Sequence, residues 1–263
     1  MAPDRSMADW IEGLQAHGRY TFTRGDAESS TGRTSDLVKA ALRRQKTRGR
    51  VASPRRGFYV IVPPEYRATG APPASWFIDD LMHYLGQPYY VGILSAAAIH
   101  GAAHQRPMVF QVVTDRPTRD ARVGNVHLEF SMSRKAGSTP ASEIQTETGT
   151  MRVATPEATA FDLVRYPAAA GHLSNVATVL MELAEEIDAA ALVAAADAMR
   201  VPDIQRLGYL LDAVDQVKLA AALLAILPAR RPRTVKLDPV GPDSTAIDRR
   251  WRLRPNVDLE LDL

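Results

Sequence analysis

Apolar positions at helical spacing mark two short helices near the start of the chain. The first set comprises Trp10, Ile11 and Leu14. Residues that recur three to four positions apart lie on one face of a helix, so this set predicts a helix with one buried side. A second helix is predicted over residues 23–31, because Thr23 and Asp26 have the spacing of a capping box.

A longer amphipathic segment follows and predicts a third helix over about residues 35–48. Thr34 and Ser35 are suitable cap residues at its start, Gly49 ends it, and no proline interrupts it. The face predicted to pack on the protein consists of Leu37, Val38, Ala41, Leu42 and Gln45. The opposite, mostly polar face consists of Asp36, Lys39, Ala40, Arg43 and Thr47. This second face is free to meet a partner.

The pattern then changes to two short strands. Val51 and residues 58–61 favour strand, and the sequence Ser-Pro-Arg-Arg-Gly at residues 53–57 supplies the turn between them. The turn carries Arg55 and Arg56 at its tip. Three helices followed by a basic hairpin predict a winged helix-turn-helix that binds DNA.

The charge of this region supports that interpretation. Residues 33–62 contain nine basic side chains and one acidic side chain, Asp36. The alternative is a small packing module whose arginines only increase solubility. A helix on a membrane surface is disfavoured, because the apolar face lacks Trp and Phe and is needed for the core.

The charge also divides the chain into three predicted domains. Residues 1–67, the predicted DNA-binding domain, have a net charge of +6, and residues 68–227 have a net charge of −6. Residues 228–263, a basic C-terminal extension, have a net charge of +2. A basic N-terminal domain followed by an acidic domain is expected when the first binds phosphates and the second binds something else.

The middle of the chain predicts an α/β domain that becomes helical. A proline-rich stretch at residues 63–75 predicts an extended, semi-rigid linker before it. The predicted elements are helices at 76–85 and 95–100, strands at 108–114, 126–130 and 151–154, a helix from Pro156, and three or four helices within 172–227. The predicted fold class is α+β, with an N-terminal winged helix-turn-helix followed by a larger α/β domain whose C-terminal part is helical.

Two features near the C-terminus leave alternatives open. Residues 189–199 and 217–227 are apolar over most of their surface, so we expect them to pack inside the domain or against another subunit. The basic residues of the tail surround Trp251. They form either a second surface that contacts phosphates or an exposed extension.

Composition narrows the class of protein. A chain of 263 residues with 46% hydrophobic content can form a small domain and a larger one with a core. Cysteine is absent, which excludes disulfides and thiolate metal sites. The chain has no apolar signal segment and no stretch near the roughly 20 apolar residues of a membrane span, so we expect a soluble cytoplasmic protein with no membrane partner.

The sequence predicts no enzyme, metal or cofactor. His100 and His104 have the four-residue spacing of a metal pair, which His83 or Glu129 would complete. Gly101 interrupts the helix between them, however, and local packing explains these side chains better. Neither of the glycine-rich motifs that bind phosphate is present.

Several blocks of sequence occur in a recognisable order. They are RGFYV at 56–60, YVGILSAAAIHG at 90–101, QRP at 105–107, FQVVT at 110–114, VATPEATAFDL at 153–163, RLGYLL at 206–211, and WRL at 251–253 with Asn256. Together they resemble AbiEi-family antitoxins. Residues 228–243 are proline- and arginine-rich and depart from the family pattern.

The resemblance implies an antitoxin of a type IV-like toxin-antitoxin pair, of the abortive-infection kind that defends against phage. Such proteins also repress their own operon by binding inverted repeats in the promoter through the winged helix, which allows a dimer on DNA. They oppose a cognate nucleotidyltransferase toxin. The DNA contacts predicted for this chain are Arg33, Thr34, Ser35, Lys39, Arg43, Arg44, Lys46, Arg48, Arg55 and Arg56.

Two roles are predicted among these contacts. Ser35, Lys39 and Arg43 are the expected readers of base edges, and the other basic residues are expected to contact phosphates. A ligand-responsive winged-helix repressor without an antitoxin role fits the same residues.

Overall fold

The computed structural model describes residues 6–102 and 108–260 and has a mixed α+β fold. Its helices are α1 Met7–Ala16, α2 Arg24–Thr31, α3 Ser35–Thr47, α4 Ile78–Leu85, α5 Ile93–Ile99, α6 Pro156–Arg165, α7 His172–Leu183, α8 Ala189–Ala196, α9 Val201–Ala213 and α10 Val217–Ile226. Its strands are β1 Thr21–Thr23, β2 Val51–Arg55, β3 Phe58–Ile61, β4 Tyr89–Val91, β5 Phe110–Thr114, β6 Ala121–Val123, β7 Val126–Met132, β8 Ala141–Gln145, β9 Thr150–Ala154, β10 Val235–Lys236 and β11 Leu253–Arg254.

The chain separates into two compact units. The first comprises residues 1–90, 108–137 and 143–152, and the second comprises residues 91–107, 138–142 and 153–263. Strands β5 to β7 lie wholly in the first unit, and helices α5 to α10 lie in the second. The predicted division at residues 67 and 227 remains a prediction.

Local capping sets the start of the first two helices. The Ser6 and Thr23 hydroxyls each accept a bond from the backbone three residues on, and the Asp9 and Asp26 side chains accept one in return. These reciprocal bonds satisfy backbone N–H groups that a helix start leaves without partners. The predicted capping box at Thr23 is therefore confirmed.

A small apolar core joins the N-terminal elements of the first unit. Trp10 of α1 meets Phe22 of β1 edge to face at 5.0 Å between ring centroids. Val38 and Leu42 place the inner face of α3 on the same cluster. Strands β1, β3 and β2 form an antiparallel sheet in that order, with Thr21 opposite Val60.

The predicted inner face of α3 was wrong at one position. Val38, Ala41, Leu42 and Gln45 are buried as expected, but Leu37 is 59% exposed. At 100° per residue Leu37 lies a quarter-turn from the centre of the buried face. It therefore points past the core.

The proline-rich segment was expected to be an extended linker, and this expectation was wrong. It contains two 3-10 turns, Pro64–Tyr66 and Ala74–Trp76. Ala71 is buried in a cluster with Ala52 and Val123. The short apolar side chains between the prolines fold the segment back onto the first unit.

The larger sheet has six strands in the order β6-β7-β5-β4-β9-β8. Strand β5 is parallel to β7, with Phe110 opposite Leu128 and Thr114 opposite Met132. Strand β6 is antiparallel to β7. Parallel pairing also joins β4 to β9, where Val91 lies opposite Val153.

Helices form most of the second unit. The centre is α6, whose Ala158, Phe161 and Leu163 are buried, and the Thr155 hydroxyl caps its start by accepting a bond from Ala158 N–H. Within the residues that the structure describes, no helix is both long enough and apolar enough to cross a membrane.

The C-terminal segment is part of this unit's core, so its interpretation as only an exposed extension was wrong. Trp251, Leu237 and Leu253 are each 0% exposed. Strands β10 and β11 pair in parallel, with Val235 opposite Leu253. Between these buried residues the segment returns to the surface, where Val240 and Arg249 are exposed.

Candidate nucleic-acid interface

Helix α3 presents a basic outer surface. The exposed predicted contacts on this helix and at its two ends are Thr34, Ser35, Lys39, Arg43, Arg44, Lys46 and Arg48. Arg33 lies just before the helix and is half-buried. The packing of the apolar face therefore orients the basic face outward.

Most of these cations are not neutralised by the protein itself. Arg43, Arg44, Lys46 and Arg48 form no ion pair with any other described residue. Lys39 Nζ lies 3.1 Å from Asp36 Oδ1, but both side chains are solvent-exposed, so this pair contributes little. The positive charge of the outer face is available to an anionic ligand.

The start of α3 adds polar groups to the same surface. Thr34 occupies the N-cap position, yet its side chain makes no capping hydrogen bond. Ser35 is the first helical residue and is exposed. A helix start leaves backbone N–H groups without intrahelical partners, and such groups bind phosphate well.

The hairpin beside α3 has a shorter turn than the sequence predicts, because Ser53, Pro54 and Arg55 belong to β2. Strands β2 and β3 are joined at Arg56 and Gly57, and Gly57 has a φ of 86° that favours glycine. Tyr84 Oη donates a hydrogen bond of 2.9 Å to the Arg56 carbonyl. This bond holds the backbone of the turn, while the Arg56 side chain is exposed.

Arg55 has a different environment from Arg56. Its guanidinium donates to the carbonyl of Arg119 and, at 3.5 Å, to that of Asp120, and it lies 5.4 Å from the centre of the Phe130 ring. Burial lowers the pKa of Arg55, and the Asp120 carboxylate partly opposes this. All of these groups belong to the first unit. Arg55 therefore attaches the hairpin to the loop before β6 and to β7.

Sequence reasoning missed one exposed side chain at this surface. Leu37 is 59% exposed on a helix whose other exposed residues are mostly polar or basic. Its helical angle, at the edge of the apolar stripe, was the available signal. An exposed leucine can contact the methyl group of thymine in a major groove.

The candidate metal residues His100 and His83 have other hydrogen-bond or ion-pair partners. His100 Nε2 lies 2.7 Å from the Ala154 carbonyl oxygen, so this imidazole has a hydrogen-bond partner within the protein. His83 Nδ1 lies 3.1 Å from the Asp79 carboxylate. His104 and the QRP block at residues 105–107 lie outside the described residues. Among the described residues, no three His, Cys, Asp or Glu side chains form a metal-binding group.

Two of the family-like blocks meet in the second unit although they are distant in sequence. Trp251 packs against α9 at Gly208, where a Cβ would overlap the indole ring. Trp251 Nε1 donates to Asp212 Oδ2 at 2.6 Å. Gln205 Nε2 lies 2.7 Å from the Trp251 carbonyl and 3.0 Å from the Arg252 carbonyl. The RLGYLL and WRL blocks thus form one packed structure.

A buried charge group lies beside this contact. Arg206 Nε donates to the Lys236 carbonyl at 3.1 Å, and its Nη1 lies 3.4 Å from Asp203 Oδ1. Burial lowers the pKa of Arg206, while Asp203 raises it in part. Arg206 therefore links α9 to β10.

Comparisons with known proteins agree with this fold. The crystal structure of the RV2827C protein from Mycobacterium tuberculosis superposes with a TM-score of 0.66 at 17% sequence identity. The match covers 94% of this chain and 89% of the other chain. At this identity the likeness shows the fold alone. No curated protein matches the sequence.

A family model matches the segment that contains the central blocks. The model describes the AbiEi antitoxin C-terminal domain and covers residues 90–213. These residues include α5, β9, α6 and the RLGYLL block of α9, and all of β4 except Tyr89. The predicted resemblance is confirmed over these residues, which match the AbiEi antitoxin C-terminal domain.

Proposed function

We propose that this antitoxin represses its own operon by binding inverted repeats in the promoter through an N-terminal winged helix-turn-helix, and that it opposes a nucleotidyltransferase toxin. The observation that supports DNA binding best is the exposed basic face of α3, most of whose cations form no ion pair with another described residue, beside a hairpin with an exposed arginine. The family match supports the antitoxin role.

In this proposal α3 enters the major groove and the hairpin follows the phosphate backbone. Ser35, Lys39 and Arg43 lie along the exposed side of α3 and read base edges, where arginine can make two bonds to guanine. Arg44, Lys46 and Arg48 contact phosphates, which provides affinity without sequence preference. Bound protein then prevents polymerase from reaching the promoter.

The hairpin contributes chiefly through Arg56. Its side chain is exposed, whereas the Arg55 guanidinium is engaged by two backbone carbonyls and the Phe130 ring. We therefore assign the phosphate contact of the hairpin to Arg56. Arg55 acts indirectly, by fixing the hairpin in place.

The test of DNA binding is a salt titration of the full chain on its own upstream DNA and on a scrambled duplex of equal length. We expect a preference for the upstream DNA and a steep loss of affinity with salt. Arg43→Ala should weaken specific binding by about 1–3 kcal/mol. Arg134→Ala, which removes an exposed arginine of the same unit distant in sequence from α3, is the control. Equal affinity for both duplexes would contradict sequence-specific repression.

The antitoxin role is tested separately in cells. A nucleotidyltransferase whose gene adjoins that of this protein is induced with and without it, and growth is measured. Restored growth supports opposition to the toxin. Repression without restored growth would instead favour a ligand-responsive repressor. The Arg43→Ala variant should lose repression and keep the growth effect, because α3 lies outside the family domain at residues 90–213.

A further inference from the structure

A groove beside the C-terminal end of α10 combines an apolar floor with a rim of arginines. It lies within the second unit and has a volume of about 390 Å³. The floor includes Leu224, Pro228 and Pro232, and the rim consists of Arg231, Arg250 and Arg252. This combination suits a ligand that is both apolar and acidic.

Contacts within the protein hold two of the rim arginines. Arg250 Nε lies 3.0 Å from Asp212 Oδ2, and Arg252 Nη1 donates to the Pro232 carbonyl at 3.0 Å. Arg231 is exposed and forms no ion pair with another described residue. Arg231 and Arg252 have left-handed backbones, with φ of 50° and 48°. Such conformations persist in residues other than glycine only where the surroundings hold them.

The exposed face of α10 leads into the groove. Val217 is 61% exposed, and Ala221 and Ala225 are also exposed. These residues and Leu224 lie on one side of the helix, because Ala221, Leu224 and Ala225 follow Val217 by four, seven and eight positions. An apolar strip on the surface therefore ends at the arginine rim.

The C-terminal segment of the chain has the complementary chemistry. Residues 257–263 alternate apolar and acidic side chains, VDLELDL. Val257 is 37% exposed, and the exposed Asp258 and Glu260 form no ion pair within the described part of the chain. None of its described residues, 257–260, lines the groove of its own chain. Glu260 N–H instead donates to Ser174 Oγ of α7 at 3.1 Å.

We propose that the groove binds the C-terminal segment of a second copy of this chain, and that two copies exchange these segments reciprocally. Two grooves packed face to face would bring like charges together, which is unfavourable. Exchange instead places Asp258 and Glu260 against the arginine rim and Val257 on the apolar floor. The contact closes with twofold symmetry. This inference does not depend on DNA binding or on the toxin.

The test is sedimentation or light scattering of the full chain over a range of concentrations. We expect a monomer-dimer equilibrium whose dissociation constant rises with salt. Arg231→Glu should raise that constant about tenfold or more, and so should the double change Asp258→Arg and Glu260→Arg. Arg249→Glu alters a nearby exposed arginine outside the groove and should change it little. Thermal unfolding of each variant checks that it is folded.

A mixing experiment then isolates the contact. The Arg231→Glu variant and the doubly changed tail variant should each be mainly monomeric alone and should form a dimer when mixed, because reversed charges again face each other. A monomeric wild-type chain would overturn the proposal. A dissociation constant that neither charge reversal changes would overturn it too, and so would a mixture of the two variants that stays monomeric.

Discussion

Adjacent arginines at the tip of the hairpin have different partners and therefore different expected roles. Arg55 donates to the Arg119 and Asp120 carbonyls, whereas the Arg56 side chain is exposed. Arg55→Ala leaves these acceptors without their donor, so we expect a lower free energy of unfolding, by about 1–3 kcal/mol. Arg56→Ala should leave stability within about 0.5 kcal/mol of the wild type.

DNA binding distinguishes the same two variants. Arg56→Ala should reduce the slope of log affinity against log salt by about one, as expected for one lost phosphate contact. Arg55→Ala should reduce affinity without that change in slope, because it loosens the hairpin. Denaturant unfolding and salt-titrated anisotropy supply the two measurements. Identical slopes and stabilities for both variants would contradict the assignment.

Gly208 is required by the indole ring of Trp251. A Cβ at position 208 would overlap this ring, which is 0% exposed and is held by the Nε1 bond to Asp212. Because the ring cannot move aside, we expect Gly208→Ala to lower the free energy of unfolding by about 1–3 kcal/mol or more. Gly149→Ala is the control, since no atom lies within 4 Å of a Cβ there. Equal melting temperatures for both variants would show that the ring has room to move.

Tyr89 links stability to alkaline pH. Its phenol is buried and donates to Asp79 Oδ1 at 2.8 Å, and burial is the main cause of its raised pKa. Above pH of about 10 the unfolded chain loses this proton before the folded chain does, so stability falls by about 1.4 kcal/mol per pH unit from this group.

Replacing Tyr89 tests this linkage. Tyr89→Phe should be less stable at neutral pH, because Asp79 and the Arg152 N–H lose a partner. Its stability should then fall less steeply above pH of about 10, because one group no longer titrates there. Denaturant unfolding between pH 8 and 11 measures both effects. Parallel curves for the two proteins over the alkaline range would exclude this linkage.

At the scale of elements, the sequence predicts the helices and strands whose signals lie within the element itself. The capping residues and apolar spacing of α2 and α3 lie at or within each helix, so their bounds were predicted within one residue, whereas apolar spacing alone predicted α1 without bounds. Residues 58–61 were predicted as a strand and form β3, but β2 continues to Arg55, into the predicted turn. The two-residue strands β10 and β11 pair across 18 positions in sequence, and this pairing has no local signal.

The site shows the same limit. Exposure of Arg43 and Arg44 follows from the helical period alone. The internal contacts of Arg55 depend on carbonyls 64 and 65 positions away, at Arg119 and Asp120. Periodicity carries no information about such partners, so sequence analysis predicted the same DNA contact for Arg55 and Arg56. Sequence analysis likewise identified the arginines of the groove only as basic residues of the tail and did not predict that they line a groove.

The C-terminal segment behaves as a structural element of the second unit, which truncation can test. A chain ending at Leu227 loses the buried Leu237, Trp251 and Leu253 and exposes the apolar surface they cover. We expect it to bind a hydrophobic dye and to lose protection of α9 amides in hydrogen exchange. A chain ending at Val257 keeps these residues and should retain native protection. Native exchange in the shorter chain would contradict this role.

At the scale of the whole molecule, the proposed dimer and the proposed DNA binding together predict a spacing for the half-sites of an operator. Two α3 helices related by twofold symmetry reach half-sites on one face of DNA when the half-site centres are about 10 base pairs, or a multiple, apart. A linked pair binds more tightly than two independent copies, because the second contact is intramolecular. Operator spacing therefore reports on the dimer.

Insertions between the half-sites test this geometry. Five added base pairs turn one half-site to the opposite face of the duplex, so we expect affinity to fall toward that of a single half-site. Ten added base pairs restore the face and should recover part of the loss, limited by the reach of the dimer. The measurement is a binding curve of the full chain on the three duplexes, with Arg231→Glu as the monomeric control. Because that control binds each half-site independently, its affinity should not depend on spacing. A wild-type protein equally insensitive to spacing would mean that its copies bind DNA separately.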